Sequence, residues 1–115
     1  MSQNLRFLGI VAHPHDFTHF AGTLGVQTAM GDTATVVSMT AGVGTHNEKL
    51  DTELMKPTSE QDPAIINQPA EERAEEKIDE LRRACAIFGV TDVRVLGYPD
   101  KPFVFERHPD AAEKL

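Results

Sequence analysis

Four side chains that can bind a metal ion fall within seven positions of one another: His13, His15, Asp16 and His19. The whole chain has only 5 histidines, so this clustering is a distinct feature of the sequence. A mixed set of imidazole and carboxylate ligands suits zinc or another divalent transition metal. Three protein ligands with one open position is the arrangement found in catalytic sites. The cluster therefore predicts a metal centre that acts on a substrate.

The chemistry that such a centre favours is hydrolysis. A bound metal lowers the pKa of its water toward about 7 and polarises a carbonyl group. A neighbouring group must then accept the proton of the water and return one to the leaving amine. Three histidines cannot all bind the metal and still leave a base, so we expect their roles to divide.

The elements that position this cluster are predicted from hydrophobic patterns. Residues 6–12 form a short, nearly continuous apolar run, typical of a parallel strand that is buried on both faces. A weakly amphipathic helix is expected over residues 20–30, with Gly31 and Asp32 ending it. Residues 33–40 are rich in β-branched side chains and predict a second strand.

The second half of the chain begins with a stretch that has no periodicity, residues 41–68. A loop of this length in a compact domain is either disordered or covers a site. The next helix is expected from Pro69 to Gly89, because apolar residues recur at helical spacing. These residues are Ile78, Leu81, Cys85 and Phe88. A third strand is predicted over residues 92–98, and the start of another helix at Pro109.

The predicted order indicates an α/β fold, a Rossmann-like doubly wound parallel sheet with right-handed crossovers. Three strands and two helices leave such a sheet incomplete. We therefore expect residues 1–115 to form the N-terminal part of a single α/β domain. This part would need a missing C-terminal half or another chain, and a homo-oligomer is one way to supply it.

The carboxyl ends of the strands are where ligands bind in this fold class. Polar residues follow each predicted strand there, at residues 13–19, 41–47 and 98–101. All three segments are expected at one edge of the sheet.

Composition and charge exclude several classes of protein. The net charge of -7 argues against nucleic-acid binding, which needs clustered Lys and Arg. We expect the single cysteine, Cys85, to be a buried core residue of a protein in a reducing compartment. The first apolar run is too short for a signal peptide or a membrane span. A cytoplasmic protein is therefore expected.

Five motifs, in order and at suitable spacing, give the chain a family resemblance. They are AHPHD at residues 12–16, AGT at 21–23, TAGVG at 40–44, FGV at 88–90 and LGYPD at 96–100. With these motifs the chain resembles the LmbE-like, or PIG-L, family of N-acetylglucosamine deacetylases over about residues 6–103. The resemblance implies a zinc-dependent hydrolase that removes an N-acetyl group from a small, sugar-like substrate.

The resemblance also implies roles for individual residues of the turn. His13 and Asp16 occupy the positions of two zinc ligands, and Asp16 is also placed among the catalytic residues. His15 stands where the family has an Asp, the general base. His15 is therefore expected to act as the base, to bind the metal, or to indicate that the activity is altered or lost. The family's third ligand is a His from its C-terminal half.

Substrate contacts are implied at three further positions. Asp100 matches an acidic residue near the substrate's sugar. Lys77 falls where an Arg often contacts the substrate, and Arg73, one turn earlier on the same helix face, is the alternative.

Two other functions remain open at this point. One is a non-catalytic sugar-binding relative, because His15 replaces the base. The other is a different His-x-His metal hydrolase of the amidohydrolase or PHP type, which needs a longer chain and leaves LGYPD unexplained.

Overall fold

The computed structural model describes residues 4–44, 47–99 and 110–115. The strands are β1 (Arg6–Val11), β2 (Thr33–Ser38) and β3 (Asp92–Val95). The α-helices are α1 (Ala21–Ala29), α2 (Glu48–Leu54), α3 (Pro63–Ile66), α4 (Ala70–Ile87) and α5 (Ala111–Lys114). Two 3₁₀ helices cover Pro14–His19 and Thr58–Glu60.

The three strands form one parallel sheet in the order β1-β2-β3. Arg6 pairs with Thr33 at the start of β1, and Thr35 pairs with Asp92 where β3 joins β2. The predicted α/β class is confirmed. Since parallel strands point the same way, the segments that follow them all leave the sheet at one edge.

The hydrophobic core lies on one face of this sheet. Both α1 and α4 pack there, because right-handed crossovers that advance in one direction place their helices on the same side. The buried cluster joins Ala34, Val36 and Val93 of the sheet to residues of the helices, the first turn and the segment after α4, namely Phe17, Ala21, Leu24, Leu81, Cys85 and Val90. The position predicted for Cys85 is confirmed, and burial raises the pKa of its thiol to about 11.

The expectation that β1 is buried on both faces is wrong. Leu8 and Ile10 are 53% and 46% exposed, whereas Val11 on the other face is buried. The reason is the single direction of the crossovers, which covers one face only. On the second face the described residues place the short helix α5, whose Lys114 lines a cavity with Leu8 and Val37.

The segment expected to be one long loop contains helices α2 and α3, so the prediction of only two helices was wrong. Asn47 accepts a hydrogen bond from the N–H of Leu50 and thereby caps α2. The side chain of Asp62 accepts from the N–H of Ala64 and caps α3. These helices depend on their caps rather than on apolar periodicity, which is why the pattern did not reveal them.

A buried carboxylate ties these short helices together. Glu53 of α2 is 3% exposed, and its Oε1 accepts the backbone N–H of Asp62 at 3.1 Å. Lys56 donates to both of its oxygens at 3.0 and 2.9 Å. These bonds lower the pKa of Glu53, with the Lys56 contact as the largest cause.

The prediction for α4 is confirmed at both ends. Pro69 precedes its first turn, and Gly89 follows it with φ of 77°. The third strand is shorter than expected, because regular pairing stops at Val95. No helix within the described residues has the length and apolar character needed to cross a bilayer.

Candidate active site

The candidate site is built on the turn that follows β1. Pro14 begins a 3₁₀ helix there, and Asp16 Oδ2 accepts a hydrogen bond from the backbone N–H of His13 at 3.0 Å. Pro14 and Phe17 are buried beneath the turn, which leaves His15 exposed and Asp16 partly exposed. The backbone conformation thus holds two imidazoles and a carboxylate at the carboxyl edge of the sheet.

The carboxylate of Asp16 divides its two oxygens between the two histidines. Oδ2 lies 3.4 Å from His13 Nδ1, and Oδ1 lies 3.1 Å from His15 Nε2. The two imidazole rings are stacked, with centroids 5.9 Å apart and an interplanar angle of 18°. Asp16 is therefore the central group of this turn.

The charge state of Asp16 follows from these contacts. Burial raises the pKa of its carboxyl, but this effect is outweighed by the backbone hydrogen bond from His13 and by the nearby imidazoles of His15 and His13. The net pKa lies below its ordinary value. An ionised carboxylate is the form that binds a metal or orients a histidine.

The donor atoms at His13 and Asp16 fit two ligands of one metal ion. Two ligands about 2.1 Å from a tetrahedral zinc are about 3.4 Å apart. His13 Nδ1 and Asp16 Oδ2 are separated by 3.4 Å. Across the described ranges, no group of three or more His, Cys, Asp or Glu side chains is arranged to hold a metal. The pair fits part of a site, and a further ligand has to come from elsewhere.

Hydrogen bonds from the end of β2 fasten this turn. Thr40 Oγ1 donates to the carbonyl of Ala12 at 2.8 Å and accepts the N–H of Gly42 at 3.2 Å. Gly42 has φ of 71°, and a Cβ there would lie 2.9 Å from Pro14 Cδ and 3.8 Å from His13 Cβ. The residue at 42 must therefore be Gly, because the loop after β2 packs directly against the turn of residues 13–16.

A charged cleft of about 340 Å³ lies beside His15. It lies between His15 and the helices α2 and α4. Its charged lining consists of Glu48, Lys49, Arg73, Glu76, Lys77 and Glu80. A smaller, adjoining cavity is also lined by His15, Lys77 and Glu80. The cleft thus places acidic and basic groups of α4 opposite the candidate base.

The two basic residues proposed for substrate contact have different surroundings. Arg73 is 9% exposed, and its Nη2 donates to Asn47 Oδ1, the atom that also caps α2. Its Nη1 lies 3.6 Å from Glu76 Oε2. Lys77 is more accessible and lines both cavities next to His15. The arrangement favours Lys77 as the substrate contact and gives Arg73 a structural contact with Asn47.

Four further residues belong to the segments 13–19, 41–47 and 98–101 that follow the strands. Asp100 and His46 lie outside the described residues. His19 is exposed at the end of the 3₁₀ helix. Phe17 is 2% exposed, and its ring meets those of Phe20 and Phe88 edge-on at 5.9 and 5.7 Å. The apolar residue at position 17 therefore anchors the turn in the core.

Sequence reasoning missed two residues of this region. Asn47 joins α2 to α4, and its signal was available, because Asn before a charged first turn is a typical N-cap. Glu80 lines both cavities beside His15. Its position in a run of acidic residues on α4 offered no signal that distinguished it from solvated surface.

The sequence matches the family described as "PIG-L: GlcNAc-PI de-N-acetylase" over residues 8–115. The chain belongs to the PIG-L family. This match agrees with the PIG-L resemblance described in the sequence analysis. It excludes the barrel hydrolases of amidohydrolase and PHP type. A comparison with curated protein sequences finds no significant match.

Solved structures similar to this PIG-L chain include enzymes of different activity. The N,N'-diacetylchitobiose deacetylase from Pyrococcus horikoshii is 25% identical with a TM-score of 0.60, over 83% of this chain and 30% of that one. GalB, the 4-carboxy-2-hydroxymuconate hydratase from Pseudomonas putida, is 18% identical with a TM-score of 0.67, over 90% and 38%. The conserved protein TT1542 from Thermus thermophilus is 23% identical with a TM-score of 0.51, over 86% and 34%.

The latter two likenesses concern the fold alone. In each comparison the chain spans between 30% and 38% of the length of the similar structure.

Proposed function

We propose that this chain carries the metal-binding part of a zinc-dependent N-deacetylase that cleaves the amide of an N-acetylated amino sugar or similar small amide. The observation that carries the proposal is the turn in which Asp16 contacts both His13 and His15. The PIG-L match and the likeness to a diacetylchitobiose deacetylase support it. The chain would act as the N-terminal portion of a larger domain, since the similar structures are much longer.

His13 and Asp16 would hold the metal, through Nδ1 and Oδ2. When bound, the metal would polarise the amide carbonyl and lower the pKa of a water molecule. A third ligand would come from a His of the missing C-terminal half or of another chain. Asp16 suits its part because the N–H of His13 and the neighbouring imidazoles keep its carboxyl ionised.

His15 would act as the general base. Its Nε2 faces Asp16 Oδ1 at 3.1 Å, so the carboxylate orients the ring and stabilises the imidazolium that forms when a proton is accepted. An imidazole that donates from Nε2 accepts a proton at Nδ1. The proton taken from water would then pass from His15 to the leaving amine.

Lys77 would bind the substrate beside His15, where a hydroxyl or carbonyl oxygen can accept its hydrogen bond. The cleft of about 340 Å³ that both residues line has room for one sugar-sized group. Asp100, which lies outside the described residues, would contact the sugar, the role that the family resemblance implies. Arg73 would act indirectly, by holding Asn47 and the start of α2 in place.

Acetate release from N-acetylglucosamine derivatives tests this function, measured on the full-length protein with zinc restored after chelation. We expect turnover to require zinc and to be lost in His13→Ala and Asp16→Asn, which also lose bound metal. We expect His15→Gln to keep the metal and lose about 100-fold or more in kcat, the usual contribution of a general base.

His19→Gln is the matched control, because His19 is exposed on the same 3₁₀ helix. His15→Asp restores the carboxylate of the family and should recover much of the activity. Turnover that survives both His13→Ala and Asp16→Asn contradicts the proposal.

The second candidate is a non-catalytic member that binds a sugar without cleaving it, and His15 at the position of the base is the observation that favours it. Zinc uptake and sugar binding without turnover in the wild type, together with turnover gained by His15→Asp, would select this function.

A further inference from the structure

A second cleft, of about 360 Å³, lies at the same edge of the sheet as the candidate active site. One wall is the N-terminal half of α4, with Ala74 and Ile78. The other is the end of β3, with Val95, Tyr98 and Pro99. Ligands bind at this edge in open α/β sheets, which gives the cleft the position of a binding site.

The cleft adjoins the metal-binding turn. Ala41 and Val43 line it, and they flank Gly42 in the loop after β2. Gly42 packs against Pro14 and His13, with only 2.9 Å between its projected Cβ and Pro14 Cδ. A single loop segment, residues 41–43, therefore separates the cleft from His13.

The lining of this cleft differs in chemistry from that of the cleft beside His15. Glu71 is its one charged lining residue among those described, and the others are aliphatic, aromatic, Gly or Pro. The cleft beside His15 is lined by charged or ionisable side chains throughout. An apolar cavity of about 150 Å³ already holds a benzene ring. A cleft of about 360 Å³ has room for a ring or chain of about six carbons.

We propose that this cleft is an apolar subsite, and that the molecule held at the His13–Asp16 turn carries an aliphatic or aromatic group of about six carbons that occupies it. The proposal rests on the proposed function and names its substrate class. The apolar group belongs either to the N-acyl chain or to the alcohol linked to the sugar. In both cases the group that enters the cleft is apolar.

Two matched pairs of substrates test the subsite on the full-length, zinc-loaded protein. N-hexanoylglucosamine against N-acetylglucosamine probes the acyl source, and hexyl against methyl N-acetylglucosaminide probes the alcohol. We expect kcat/KM to be at least about tenfold higher for the apolar member of one pair, since each methylene that leaves water favours binding.

Ala74→Phe fills the cleft and should abolish this preference while leaving the kcat/KM of the small substrates unchanged. Ala86→Phe is the control, because Ala86 is exposed on the same helix. Ala74→Leu serves as a smaller obstruction if the Phe variant does not fold, with folding followed by circular dichroism.

Calorimetric titration with the same four compounds separates this proposal from the proposed function. Absent turnover together with tighter binding of an apolar member, lost in Ala74→Phe, overturns the deacetylase and supports the subsite. Turnover with equal kcat/KM within both pairs overturns the subsite and leaves the deacetylase. Equal affinities within both pairs, with no turnover, overturn both.

Discussion

The two faces of the β-sheet differ in what covers them. On one face Val36 is fully buried between α1 and α4. On the other, Leu8 is 53% exposed, although it lies on the neighbouring strand. Both residues are apolar and both belong to parallel strands, so residue type alone does not account for the difference. The direction of the crossovers does, since it places both long helices on the same side.

The open face carries a polar pair, and the short helix α5 approaches it, since Lys114 lines a cavity with Leu8 and Val37. Asp92 binds Thr35 Oγ1 at 3.0 Å across the strands, and Arg94 Nε lies 3.1 Å from Asp92 Oδ1. The comparison indicates that most of the buried apolar contacts lie on the covered face, although Val37 on the open face is also buried. Substitutions on the two faces therefore test this conclusion.

The largest effect is expected for a charge introduced into the covered face. Val36→Asp buries an unpaired carboxylate and should cost at least about 4 kcal/mol, enough to unfold the domain. Leu8→Asp is the counterpart on the open face and should cost about 1 kcal/mol or less. Urea unfolding followed by circular dichroism measures both, and similar losses would show that the faces are equally buried in solution.

The next largest effect on stability is expected at Gly89, because this residue ends α4 at the point where the chain packs against α1. Its φ is 77°, and a Cβ would lie 2.6 Å from Thr28 Oγ1. Gly89→Ala should cost about 3 kcal/mol, from left-handed strain of about 1–2 kcal/mol and the clash with Thr28.

The control for this substitution is Gly97→Ala. Gly97 has the same φ of 77° but no atom within 4 Å of the projected Cβ. It should show the strain alone, so equal costs for the two variants would mean that the contact between α1 and α4 is loose.

The alkylation rate of the Cys85 thiol tests whether water is excluded from the core on the covered face. Burial raises its pKa to about 11, against an ordinary value of 9.0, which lowers the thiolate fraction near pH 8 about a hundredfold. We expect alkylation by iodoacetamide to be slower by at least this factor in the folded protein than in urea. Comparable rates in the two states would contradict a closed core.

The smallest effect is expected at Asp92 on the open face. Its hydrogen bonds from Arg94 and then from Thr35 hold the pKa of this carboxyl below its usual range. A lowered folded-state pKa stabilises the protein above the unfolded pKa of about 3.9, and this contribution is lost as pH falls through the folded pKa. Asp92→Asn should therefore reduce stability slightly at pH 6, and the difference from wild type should shrink toward pH 3. A constant difference would refute this origin.

Much of the fold was predictable because the signals were local. The strand ending at Val11, the helix ending before Gly89 and the order of elements follow from short-range patterns that side-chain periodicity and glycine impose. Helix α2 was missed because it depends on a cap at Asn47 and on Glu53, a buried carboxylate whose partners lie at Lys56 and Asp62. Polar contacts of this kind leave little trace in hydrophobic spacing.

Residue types and their spacing are enough to predict which residues could form the site. His13, His15 and Asp16 occur together after an apolar strand, and their types limit the chemistry to metal binding and proton transfer. Local chain geometry suffices for this, because all three lie within one turn.

The surroundings of these residues depend on the tertiary structure. It joined the guanidinium of Arg73 to Asn47, packed Gly42 against Pro14 and left Leu8 in solvent. Each of these outcomes depends on which distant segments pack together, and packing is set by the handedness of the crossovers and the meeting of loops at one sheet edge. No pattern within a single segment contains that information.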